Sequence, residues 1–148
     1  MTVRLLPEQI PQYWEYIKYA AVLASGHKDE AKIKQYCLGL LVNLMTDKYQ
    51  CFFGLGEDRR LMFLVIGSLL QDAGNVKRYF LEVIFGFEPT SKEWKREHLE
   101  PIRAFAQNIG CDELVSIASN PKVWAVADQM GFEFYAKIHT LKMTMGGE

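Results

Sequence analysis

Residues 61–70 read LMFLVIGSLL, and this unbroken apolar run constrains the fold more than any other feature of the chain. It falls well short of the ~20 apolar residues that span a bilayer. Turn signals bound it, GEDR before and QDAGN after, so it reads as a strand buried on both faces. The flanking segments supply its neighbours. YQCFFGL (49–55) and KRYFLEVIFGF (77–87) also read as strands, and short turns join adjacent strands as antiparallel hairpins.

The rest of the chain supplies covering layers. A short β-rich start, TVRLL, precedes PEQIPQYWEYIKYAAVLA, where Ile10, Trp14, Ile17 and Ala21 recur at helical spacing and Gly26 ends the helix. DEAKIKQYCLGLLVNLMT is a second amphipathic helix, apolar at Ile33, Cys37, Leu40, Leu41 and Leu44, with acidic residues at its dipole-favoured end. Beyond Pro89, Thr90 and Glu93 have capping-box spacing, and a helix is expected from about Ser91 to Gly110. DELVSIAS reads as a short strand. Asn120 and Pro121 open a further helix that closes at Gly131, and FEFYAKIHTLKM alternates as one or two last strands. The expected order, β-α-α-β-β-β-α-β-α-β, describes an α/β sheet of mixed direction in a single domain over residues 1–148.

Charge is nearly balanced, at −1 with a pI near 6.3. Binding to nucleic acid through bulk charge is therefore not expected. The start of the chain lacks a basic, apolar secretory leader. Cys37, Cys51 and Cys111 are odd in number and widely spaced, which reads as buried, reduced thiols in a cytoplasmic compartment rather than a disulfide frame or zinc site. His27, His98 and His139 share no ligand spacing and read as surface or capping groups, so no metal is expected. The GLG at 54–56 is a turn signal. Tyr13, Trp14, Tyr16 and Tyr19 crowd the first helix. Trp14 is expected to face the core, with Tyr13 and Tyr16 sharing a neighbouring face. The set reads either as a wide core stripe or as a partner surface.

From Leu81 onward, a strand, Pro89, a helix, then GCDELVSIASNP and MGF resemble the GCN5-related N-acetyltransferase (GNAT) superfamily, and the element order extends the likeness over the whole chain. The resemblance implies a GNAT-like (acyl-CoA N-acyltransferase) fold, a twisted mixed sheet with helices on both faces. It implies acetyl-CoA in a splayed gap beside the fourth strand, held by backbone from about Val83, Ile84 and Phe85 to Phe87. Asn120 belongs to the same site if CoA binds. It also implies a glycine-rich diphosphate loop after that strand and a tyrosine acid on the last helix.

The sequence departs from the family at both chemical points. The loop region TSKEWKREHLEP has no glycine, and Lys92 falls where an arginine or glutamine is usual. Two readings stand: an ordinary capped helix start, or an anion site rebuilt from Lys92, Lys95 and Arg96 side chains. Ungapped matching of NP and GF puts Ala127 at the tyrosine position, and alanine donates no proton. Tyr135 is either a substitute acid or a packing residue. Glu82 is either a base for a substrate amine, as strand-four acids are in some relatives, or an outward-facing charge. Phe85 and Phe87 share a face with Val83 and stand as candidates to fill the gap.

Two function classes follow. One is a degenerate acetyltransferase-like protein that acts through contacts with other proteins or with itself. IPQYWEYI, YQCFF and GCDELV are similar to phage-encoded GNAT-like virion and accessory proteins, which implies a cytoplasmic or phage-internal location. The other is an active acetyl-CoA-dependent N-acetyltransferase with an atypical loop.

Overall fold

The computed structural model describes residues 1–117, 121–133 and 138–143. Five strands form one sheet in sequence order: β1 (Thr2–Leu5), β2 (Tyr49–Leu55), β3 (Leu61–Gln71), β4 (Lys77–Gly86) and β5 (Glu113–Ser116). Neighbours from β1 to β4 are antiparallel, and β5 runs parallel to β4. The hairpins need only tight turns, whereas the parallel return to β5 needs a crossover helix. That helix is α3 (Lys92–Asn108).

β3 is buried continuously from Phe63 to Ser68, as its composition requires, and feeds two cores. On one face Leu64, Ile66 and Val83 pack beneath α1 (Ile10–Ser25) and α2 (Glu30–Met45), which contribute Ile17, Ala20, Leu40 and Leu44. On the other, Val65, Tyr79, Leu81 and Ile84 meet Leu99 and Ile102 of α3 and Val123 of α4 (Pro121–Gln129). Asp29 caps α2 by accepting from the Ala31 amide at 3.1 Å, and α1 ends at Gly26 with φ +75°.

One polar chain crosses the second core. The Tyr79 hydroxyl donates to Gln50 Oε1 at 2.7 Å, and Gln50 Nε2 donates to the Asp47 carbonyl at 2.7 Å. The Asp47 carboxylate pairs with Arg4, whose guanidinium lies 4.9 Å from the centre of the Phe105 ring. The Tyr79 ring needs Gly67 beneath it, because a Cβ there would stand 2.3 Å from Tyr79 Cε2. At the β3–β4 turn, Asp72 accepts from the amides of Gly74 and Val76 and pairs with Arg78, which also holds Glu113 of β5 at 2.5 Å. The Val76 amide first, then the Gly74 amide and Arg78, hold the Asp72 carboxyl below its ordinary pKa against the opposing effect of desolvation.

Several expectations are corrected. Ser91, not Thr90, caps α3: its hydroxyl accepts from the Trp94 amide at 3.0 Å. Residues 138–143 have no regular structure, so the expected last strand is absent from them; residues 134–137 lie outside the described set. Tyr13 turns inward onto Phe53 at 5.5 Å, while Tyr16 is exposed, because three residues on a helix differ by about 60° in direction. Trp14 does pack against the core beneath α1, as expected, and is partly buried there. Cys37 is also partly exposed, whereas Cys51 and Cys111 are buried; all three are free thiols.

Gly67→Ala is expected to cost about 1–3 kcal/mol by overpacking under Tyr79. Tyr79→Phe is expected to cost about 1–3 kcal/mol by leaving Gln50 Oε1 without its donor. Urea unfolding of each variant checks both, with an unchanged midpoint contradicting the assignment.

Candidate functional site: the end of β4 and the first turn of α3

β4 changes character at Leu81. Up to that residue it pairs with β5, from Arg78↔Glu113 to Leu81↔Ser116. Beyond it β4 continues against β3 to Gly86, while β5 is no longer paired to it. The β4 edge from Glu82 to Gly86 therefore offers backbone groups that no strand among the described residues takes up.

The same point carries a bulge. Ile66 pairs with Val83 and Gly67 with Leu81, so Glu82 is the extra residue. The bulge flips the alternation of the strand. Tyr79 and Leu81 face α3, whereas Val83 belongs to the core beneath α1 and α2. Ile84 returns to the α3 side. Phe85 and Phe87 pack on the α1 side, with ring centres 6.0 and 6.4 Å from Tyr19 and 5.0 Å from each other. The expected common face of Val83, Phe85 and Phe87 is present, and α1 occupies it.

Glu82 is neither outward-facing nor fully interior. It is half-buried, with Oε2 enclosed and without a hydrogen-bond partner among the described residues. Burial raises its carboxyl pKa. Tyr36 of α2 and Tyr49 of β2 lie near enough that the Glu82 charge, after burial itself, raises both phenols. The ring of His27 is 5.2 Å from that of Tyr36. These aromatic neighbours escaped sequence reading because α2 and β2 meet β4 only in the folded chain.

The first turn of α3 is filled by its own groups. The Ser91 carbonyl accepts from the Lys95 amide at 3.1 Å, and Lys95 Nζ donates to the Thr90 carbonyl at 2.8 Å. Lys95 is only 7% exposed, and burial lowers its pKa. Trp94 inserts under the sheet edge, edge-on to Phe63 at 6.3 Å and stacked on His98 at 3.6 Å. His98, expected at the surface, is buried. Its Nδ1 lies 2.8 Å from the Trp94 carbonyl, and its Nε2 lies 2.9 Å from the Met1 amino group. A ring protonated at Nδ1 satisfies both contacts. Lys92 is exposed, and the Arg96 guanidinium approaches Gly131 at the end of α4. Ala127 is half-buried on α4. Asn120 and Tyr135 lie outside the described residues.

Among the described residues, no group of three or more His, Cys, Asp or Glu side chains could hold a metal ion, and no helix is long and apolar enough to cross a membrane.

Glu82→Gln is expected to raise the melting temperature at pH 7. A carboxyl whose pKa is raised by folding favours the native state only when protonated, so its ionisation destabilises the fold as pH rises through the folded value. The gain should vanish below the unfolded glutamate pKa of ~4.3. Paired melts at pH 7 and pH 3.5 check the sign, and an equal difference at both would exclude titration as the cause.

No family model and no curated protein sequence matches the chain. Solved structures do. A probable acetyltransferase superposes with a TM-score of 0.71 at 13% identity, over 97% of this chain and 98% of its own. A predicted acetyltransferase with acetyl-CoA from Clostridium acetobutylicum gives 0.68 at 13%, over 96% and 95%. The aminoglycoside N-acetyltransferase AAC(6')-Iy in complex with CoA gives 0.67 at 16%, over 96% and 93%. With its paired-then-open β4 edge, its bulge and its α3 crossover, the chain has the GNAT acyl-CoA N-acyltransferase fold.

Proposed function

We propose that this protein keeps the acetyltransferase fold without the transfer reaction and acts by contact with proteins. The observation that carries this reading is the first turn of α3. A diphosphate needs several backbone amides approachable from outside, which glycines permit. Here a regular helix begins at Lys92, Ser91 caps it, and the side chain of Lys95 folds back onto Thr90. Lys95, the most buried of the three cations expected to hold an anion, is thus engaged in closing the turn. Ala127 at the family's tyrosine position points the same way, since it supplies no acid. Free thiols at three cysteines fit a reducing compartment, the cytoplasm or the interior of a phage particle.

One observation favours a second reading. The half-buried Glu82 carboxylate at the β4 bulge has a raised pKa and an unpartnered oxygen, as a general base for an amine would. Under that reading the chain is an acetyl-CoA-dependent N-acetyltransferase. The open β4 edge from Val83 through Ile84 and Phe85 would hold the thioester arm, and Lys92 and Arg96 the phosphates.

Thermal melting with CoA and with acetyl-CoA separates the two. The contact reading expects no shift at millimolar ligand. A ligand present at 100 times its Kd stabilises by about 2.7 kcal/mol. For a chain of this size that is a rise of roughly 5–10 °C. A saturable rise of that size, abolished in Lys92→Glu/Arg96→Glu, would overturn the proposal in favour of the enzyme.

A further inference from the structure

The second helix is apolar over far more of its surface than a single core requires. Leu40 and Leu44 face the sheet and are buried. Leu38, Val42 and Met45 form a second stripe, at i, i+4 and i+7, and are 65, 51 and 43% exposed. A helix with two apolar faces has a second surface to cover. Leu38 at the start of this ridge is also one wall of a groove of about 620 Å³ between α1 and α2, lined further by Trp14, Val22, Ile33 and Leu41. Tyr19 and Leu23, 58 and 48% exposed, extend its far wall.

We infer that this face is a two-fold contact in which the α2 ridge of one copy seats in the α1–α2 groove of a second copy. The inference rests on the contact reading above and names its partner. Three features select a second copy over a foreign protein. The patch carries both the ridge and the groove, and an isologous contact uses each twice, so the surface is complementary to itself. The rim carries both signs, Glu15 and Lys18 on α1 and Lys34 on α2, with Glu15 and Lys18 3.5 Å apart. A rim of mixed sign on a chain of net charge −1 does not select a strongly charged partner. The area also fits. At ~200 Å² for a large side chain, the five exposed residues present on the order of 500 Å² of apolar surface. One side of a standard interface buries about 800 Å², a little over half of it apolar.

Sedimentation of the full chain from roughly 10 nM to 500 µM tests this, a range that reaches from nanomolar to weak micromolar association. The expected species is a dimer of about 34 kDa, twice the 17.0 kDa chain. Leu38→Glu and Val42→Glu should each weaken it on the order of 100-fold while leaving circular dichroism and the melting temperature of the monomer unchanged. Hydrogen exchange on the wild-type chain gives an independent reading that needs no variant. Amides of α2 from Leu38 to Met45 should gain protection as concentration rises, and those of α3 should not. A monomer at every concentration overturns the inference and leaves the contact reading standing. A dimer indifferent to both substitutions, or one that protects another element instead, also overturns it. Stabilisation by CoA would remove the contact reading without bearing on the mass.

Discussion

Everything in this molecule depends on β3 and β4 being buried on both faces. A central hairpin with apolar side chains above and below is stable only inside a three-layer arrangement. That requirement places α1 and α2 on one side and α3 and α4 on the other. Within the second core, Gly67 beneath Tyr79 is the closest fit among the strands. The tyrosine ring occupies the space a side chain at residue 67 would need, and its hydroxyl ties β4 to Gln50 of β2. A small residue in the middle of an apolar run is thus the counterpart of a large one on the neighbouring strand.

The bulge at Glu82 turns this scaffold into a site. One extra residue reverses which side chains face which helix layer, and it coincides with the point where β5 stops pairing with β4. Phe85 and Phe87 are thereby directed to α1 rather than α3, and among the described residues no strand pairs the β4 edge beyond Leu81. Glu82 itself is left with an enclosed oxygen that has no hydrogen-bond partner among the described residues. An unsatisfied carboxylate oxygen is tolerated in a native fold at a cost in stability, and such groups gather where function has been placed. The first turn of α3, a few residues along, shows the opposite condition. There the Ser91 hydroxyl takes the Trp94 amide and the Thr90 carbonyl takes the Lys95 ammonium, so that cation is engaged within the turn.

Much of the fold was legible in the sequence because it rests on local pattern. The meander at 49–87 follows from apolar runs and turn signals, and β2 occupies the expected 49–55. The helices followed from their spacing and from stop signals such as Gly26. The last expected strand failed over residues 138–143: alternation marks a segment able to pair, but pairing needs a partner edge that local pattern does not contain. The capping residue of α3 was displaced by one, because Thr90 and Ser91 are both competent caps and only the path of the chain from Pro89 chooses between them. His98 was read as a surface group although Trp94 stands one helical turn before it; what local sequence does not show is the Met1 amino group that meets its ring from 97 residues away.

The sequence by itself determined the layered α/β architecture, the absence of loop glycines after Pro89 and the alanine at residue 127. These are matters of residue identity and short-range periodicity. Only the tertiary structure decided that the β4 bulge falls at Glu82, that Tyr36 and Tyr49 come within reach of that carboxylate's charge, and that the second apolar stripe of α2 is exposed. Each of these depends on which segments meet across long stretches of chain. Such meetings are set by the joint packing of two cores around one hairpin, and no local window of sequence holds that information.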